Sequence, residues 1–155
     1  MASLEAAVNY MINLCNDDTH GYDQANRWGP DYDCASSILV SLRDGGGFDI
    51  GGATYTGNMA SELCARGWQQ LPVSTPKQRG DICLNHANHV ELYIGNGQLA
   101  GFHSNEFGGI VGGTLGDQTG NEGSIGAYYD YPWDCILRYS GADTGSVYIT
   151  RFVPL

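Results

Sequence analysis

The chain has 155 residues, enough for one domain with a substantial buried core. Its 17 acidic against 7 basic side chains leave a formal charge of −10, a surface that repels phosphate backbones and argues against nucleic acid as a partner. No stretch reaches the ~18 uninterrupted apolar residues of a membrane span, and 23 glycines favour turns and short strands over long helices.

The first residues, MASLEAAVNYMINLCNDD, lack a basic n-region and a continuous apolar core. No signal peptide is expected there, so the chain is expected to be made in the cytoplasm. Leu4, Val8, Met11, Ile12 and Cys15 recur at helical spacing and predict an amphipathic helix over 3–16. A polar, aromatic loop follows. A second helix is predicted from Cys34 to about Arg43, with Ile38, Leu39 and Leu42 facing inward and a Gly-Gly-Gly run ending it. A third spans Asn58 to Arg66, closed by Gly67. After Pro76 the pattern turns to strands at 81–85, 89–94 and 98–103, with Gly95-Asn96-Gly97 as a hairpin signal between the last two. The Gly-rich stretch 108–126 reads as a long functional loop, and 134–139 and 146–153 read as further strands. Helices first and an antiparallel sheet afterwards make an α+β fold with residues 1–155 as one domain.

Five cysteines (15, 34, 64, 83 and 135) form an odd set without a CxxC pair, which argues against a disulfide framework and a thiolate zinc site. Four lie among apolar residues and are expected to act as small core side chains. Cys34 differs. Asp33 is a good N-cap, which puts Cys34 at the first helical position, where unpaired amides and the positive dipole end favour a thiolate. The same amides suit an oxyanion. The Asp33 charge opposes thiolate formation, so an imidazole is needed nearby.

Two histidines are placed to supply it. If Ile94 pairs with Gln98 around a three-residue loop, His89 falls opposite His103 on one face of the hairpin, with Cβ atoms about 5 Å apart. A two-residue Asn-Gly turn would place them on opposite faces. Glu91 shares the face of His89 in either register and is the reserve orienting residue. A base anchored by a third polar group is what nucleophilic catalysis by cysteine requires. One cysteine and two histidines on separate elements make a weak zinc signal, and His86 and His89 on a strand point to opposite faces, so no metal or other cofactor is expected.

The segments GYDQANRWGPDYDCASS, RGDICLNHANHVELYIGNG, FHSNE, GGTLGDQTGNE and YYDYPWDCILRY occur in that order. Together they resemble catalytic domains of the bacteriophage peptidoglycan hydrolase family, a branch of the NlpC-type papain-like cysteine peptidases, over about residues 5 to 140. The resemblance implies a papain-like fold in which the nucleophile's helix packs on an antiparallel sheet. It carries over Cys34 as nucleophile, His89 as base, His103 as third member and Tyr22 as a cleft residue near the oxyanion. Ala35 stands where the family usually has Ser, and the His89–His103 interval is slightly longer than in many relatives. In the GDQTGNE motif, Asp117, Gln118 and Glu122 either bind the stem peptide or tie down their loop. A faint likeness to a calcium loop lacks the EF-hand pattern. Most of the aromatics Trp28, Tyr32, Tyr128, Tyr129 and Trp133 are expected in the core, with Trp28 the best placed for the cleft.

The resulting expectation is an endolysin that cleaves an amide bond in peptidoglycan through a Cys34 thioester and acts on the wall after release. The favoured bond is the lactyl–L-alanine link, and the alternative is a D-glutamyl–diamino-acid bond. A non-catalytic wall-binding module and an acyltransferase or deamidase on the same fold are the competing readings. No wall-binding repeat is recognisable, so a separate C-terminal wall-binding domain in a longer lysin is expected.

Overall fold

The computed structural model describes residues 2–141; the strand expected at 146–153 lies outside them. Among the described residues three α-helices precede all six strands of an antiparallel sheet, and no helix is long and apolar enough to cross a membrane.

Helix α1 (Leu4–Asn16) starts where the Ser3 hydroxyl accepts from the Ala6 amide, and it buries Ala7, Val8, Met11, Leu14 and Cys15. Helix α2 (Cys34–Val40) is buried along its whole length and runs into a π-type turn over Ser41–Gly45. Helix α3 (Thr56–Cys64) begins two residues earlier than the pattern predicts. Asn58 is not its first residue. Its Oδ1 accepts from the Thr54 and Tyr55 amides at 2.9 and 3.2 Å, capping the start from inside.

The strands are β1 (Trp68–Leu71), β2 (Ile82–Asn85), β3 (His89–Gly95), β4 (Gln98–Phe102), β5 (Gly123–Ala127) and β6 (Cys135–Tyr139), in spatial order β1-β6-β2-β3-β4-β5. Strand β5 falls largely inside the stretch predicted to be a loop, and β1 was unmarked. Along β3, Val90, Leu92 and Ile94 join the core with the buried residues of α1 and α2. Alternation sends His89, Glu91 and Tyr93 to the opposite face. That face is covered by an aromatic cluster built on Cys83, Leu99 and Trp133 with Tyr93, Tyr128 and Tyr131. Cys15, Cys34, Cys83 and Cys135 are buried, but Cys64 at the end of α3 is exposed, against the expectation of a core side chain.

The β3–β4 hairpin combines both registers considered above. Asn96 and Gly97 (φ 54° and 70°) form a tight two-residue turn that pairs Gly95 with Gln98. A bulge at Ile94 then shifts the register, so that Tyr93 pairs with Leu99 and Leu92 with Ala100. The bulge restores the alignment of a three-residue loop. His89 and His103 therefore share a face, with ring centroids 5.5 Å apart.

Candidate active site

The nucleophile candidate is set by the start of α2. Asp33 adopts an extended conformation and accepts from the Ser36 amide at 2.8 Å, while the Ser36 hydroxyl accepts from the Asp33 amide at 2.9 Å. This reciprocal cap fixes Cys34 as the first helical residue. Burial and then the Asp33 carboxylate push its thiol up to about 11, although the amides of Val90, Ala35 and Cys34 itself favour the anion. The pull of the helix-start amides towards a thiolate is thus outweighed by loss of water and by Asp33, the opposing charge noted in the sequence. The sulfur is not sealed in. A cleft of about 210 Å³ is lined by Cys34, Asp33 and Ala35 together with Gln24, Tyr55, Thr56 and the β2–β3 turn residues Ala87 and Asn88.

Tyr22 lies beside this point. Its buried hydroxyl accepts from Gln24 Nε2 at 3.1 Å. Burial raises the phenol to about 12, and the Cys34 amide is among the groups that favour its anion. At neutral pH Tyr22 is a proton-bearing hydroxyl next to the nucleophile's backbone. Arg27 reaches Asp33 Oδ2 at 3.4 Å, bonds the Thr54 carbonyl and lies over the Trp28 ring at 5.0 Å. Trp28 is 42% exposed and does not line the cleft above Cys34. Tyr32 and Trp133 are buried, whereas Tyr129 remains 39% exposed.

The base candidate sits at the start of β3, one residue before the Val90 amide that faces the sulfur. His89 Nε2 lies 3.1 Å from Glu91 Oε2, and His103 Nε2 lies 3.3 Å from Glu91 Oε1. The Tyr129 hydroxyl donates to Glu91 Oε2. Burial alone would push the Glu91 carboxyl up, but the hydrogen bonds from His103, His89 and Tyr129 outweigh it and hold the group at about 2. Gly101 makes room for this carboxylate, since a Cβ there would stand 2.6 Å from Glu91 Oε1 and 2.7 Å from its Cγ. Trp133 stacks on His89 at 6.0 Å and Tyr131 meets it edge-on at 5.6 Å. His103 Nδ1 lies 3.4 Å from the Ser124 hydroxyl.

With Nε2 engaged by Glu91, Nδ1 is the His89 nitrogen left to meet a thiol. No hydrogen bond joins the Cys34 sulfur to His89 among the described residues; catalytic contacts commonly tighten only when substrate binds. Three ligand atoms, one each from His89, Glu91 and His103, fall within 4.8 Å of one another. A metal-competent set therefore exists where the sequence reading expected none, because Glu91 supplies the ligand that the cysteine was considered for.

The GDQTGNE motif is folded onto itself. Asp117 accepts from the Thr119 and Gly120 amides, fully buried Glu122 accepts from the Gln118 and Thr119 amides, and Gln118 Nε2 donates to the Leu115 carbonyl. Of the two roles considered, these bonds belong to the loop-tying one. The loop reaches the site through its backbone, as His103 N donates to the Glu122 carbonyl at 2.9 Å. Sequence reasoning missed Gln24, Tyr55, Thr56, Ala87 and Asn88. They carry no shared motif and meet only through the fold.

Residues 3–91 match the family model for bacteriophage peptidoglycan hydrolase, and residues 101–149 match that for an endolysin-like domain. The chain belongs to the bacteriophage peptidoglycan hydrolase family. No curated protein matches it. Among solved structures, this hydrolase is similar to the P60 domain of an antigen from M. avium subspecies paratuberculosis, at TM-score 0.60 and 15% identity over 90% of this chain and 98% of that one. It is also similar to the NlpC/p60 domain of the peptidoglycan hydrolase SagA, at TM-score 0.55 and 19% identity over 88% and 98%. The peptidoglycan hydrolase RipB from Mycobacterium tuberculosis aligns at TM-score 0.54 and 16% identity over 90% and 67%. At these identities the likeness concerns the fold, which is the NlpC/P60 arrangement of helices on an antiparallel sheet.

Proposed function

We propose that this peptidoglycan hydrolase cleaves an amide bond of the wall by cysteine nucleophilic catalysis, and that the bond is the N-acetylmuramoyl–L-alanine link. The observation that carries this reading is the buried Glu91 carboxylate. It binds the Nε2 atoms of both His89 and His103 at the start of β3, beside the backbone amide that faces the Cys34 sulfur. Glu91 orients His89, and His103 holds the other carboxylate oxygen. That arrangement leaves His89 Nδ1 to take the thiol proton as the sulfur attacks the amide carbon.

Attack produces a tetrahedral oxyanion next to the helix-start amides and the Tyr22 hydroxyl, the donors that suit it. The His89 imidazolium then protonates the departing amine, leaving a thioester on Cys34. Water, deprotonated by His89, hydrolyses the thioester and returns the free thiol. Because the thiol is held protonated by burial, His89 acts as a general base during attack and no thiolate is stored beforehand.

Mass spectrometry of purified walls digested by the protein tests both halves. Free L-alanine amino termini on the stem peptides are the expected product, and new diamino-acid amino termini would assign the D-glutamyl bond instead. Lysis should survive EDTA and fail after iodoacetamide. Unchanged lysis by Cys34→Ala would overturn the mechanism.

A further inference from the structure

Resting on the reading above, we infer that His89, Glu91 and His103 form a binding site for a divalent transition-metal ion of the zinc class, and that occupancy switches the hydrolase off. Two imidazoles and one carboxylate are a donor set suited to such ions. The spacing fits as well. Metal–nitrogen and metal–oxygen bonds near 2.1 Å place the ligand atoms of a tetrahedral site about 3.4 Å apart. The His89 Nε2–Glu91 Oε2 and His103 Nε2–Glu91 Oε1 separations, each to a different oxygen of the one carboxylate, are 3.1 and 3.3 Å, and one ligand atom from each residue falls within 4.8 Å of the others, so the rings need only a small inward turn to meet one ion.

The surroundings match what such a site needs. The Ser124 hydroxyl stands 3.4 Å from His103 Nδ1, where it can accept that ring's remaining proton, and the Tyr129 hydroxyl donates to Glu91. Contacts of this kind orient metal ligands. The His103 side chain is 36% exposed, which gives an entry path and a side on which solvent can complete the coordination.

Inhibition follows from proton bookkeeping. A neutral imidazole that binds metal through Nε2 carries its one proton on Nδ1. In the proposed reaction His89 Nδ1 must be empty to accept the Cys34 proton, so a metal-bound His89 is no longer a base. The ion also takes Glu91 away from its orienting role. Nothing is oxidised, and removing the ion restores both groups.

The test uses Zn²⁺ alone as probe and tag-free protein in a competition titration against a chromophoric chelator. Cys34→Ala in a Cys64→Ser background removes the nucleophile sulfur and the exposed thiol as alternative ligands. One Zn²⁺ per chain is expected, with affinity weakened at least tenfold by His103→Ala and by Glu91→Gln and unchanged by His86→Ala. Should Glu91→Gln fail to fold, partly exposed His103 decides. In parallel, wall lysis by the wild type should fall as Zn²⁺ fills the site and recover with EDTA. Absent binding, or binding insensitive to His103→Ala, overturns the site. Binding that leaves lysis intact overturns the switch. The titration needs no activity, so bound zinc in a wild-type protein that never lyses walls would count against the hydrolytic mechanism and not against the site.

Discussion

The two halves of the candidate site are prepared in opposite ways. On the β3–β4 hairpin the polar groups are already matched, with one buried carboxylate satisfied by two imidazoles and a tyrosine hydroxyl and held ionised. At the start of α2 the sulfur is buried beside a carboxylate and kept as a neutral thiol. The candidate base is organised in advance, and the candidate nucleophile is not. This division suits an enzyme whose thiol must survive unmodified until substrate enters the cleft and brings the proton acceptor into use.

The largest effect should come from the atom that cannot be replaced. Cys34→Ala should lower wall lysis by about 10⁴-fold or more, measured as turbidity loss of purified walls, as with nucleophile removal in hydrolases generally. Glu91→Gln comes next. It keeps the shape but removes the charge that fixes the His89 tautomer, so kcat should fall about 10²- to 10⁴-fold. His103→Gln removes only one of the partners of Glu91 and should cost about tenfold. Equal losses at Glu91 and His103 would break the ranking and return the third catalytic place to His103.

That expected ranking puts Glu91, which the sequence reading held in reserve, ahead of His103, and the reason is physical. Hairpin spacing put both histidines on one face and showed that Glu91 shares it. It could not show that Gly101, directly across, leaves the space in which the carboxylate turns between the two rings. The helix starting at Cys34 and the four inner strands were legible because caps and apolar runs are local signals. Strands β1 and β5 were not, and they are the two edges of the sheet. Gln69 and Gln70 face solvent, and the Gly-Ser-Ile-Gly-Ala run of β5 has little strand propensity of its own; pairing with β4 from Gln98 to Phe102 makes it a strand. The cleft walls were hidden for a related reason, since Gln24, Thr56 and Asn88 come from three separate segments. The helix start at Cys34 was visible in sequence, whereas the depth of burial that raises its thiol was not.

The protonated thiol can be tested directly by alkylation. Iodoacetamide reacts with the thiolate, so the rate at Cys34 should climb about tenfold per pH unit from pH 7 towards the value of about 11 held by burial and Asp33. An unhindered thiol would level off from about pH 8.5. Removing the neighbouring charge by Asp33→Asn keeps a capping side chain and should bring the midpoint down. Cys34 labelling followed by peptide mass spectrometry gives the rate. A plateau already present at pH 6 would mean a stored thiolate–imidazolium pair and would erase the contrast between the two halves.

The smallest effect concerns how the histidine side stays organised. Glu122 is fully buried and accepts the Gln118 and Thr119 amides and the Thr119 hydroxyl, while its own carbonyl receives the His103 amide. Burial opposes its charge, yet the interaction with Asp117 and the hydrogen bonds from Thr119 and Gln118 hold the carboxyl at about 2. Glu122→Gln replaces a charged acceptor with a neutral one and turns one end into a donor facing amides. The expected cost is about 1–3 kcal/mol of stability by urea denaturation, with lysis reduced by less than about tenfold, because Glu91 still holds both rings. A loss of lysis as deep as that of Glu91→Gln, at unchanged stability, would instead place the GDQTGNE loop in contact with substrate. It would also extend the prepared half of the site beyond the hairpin.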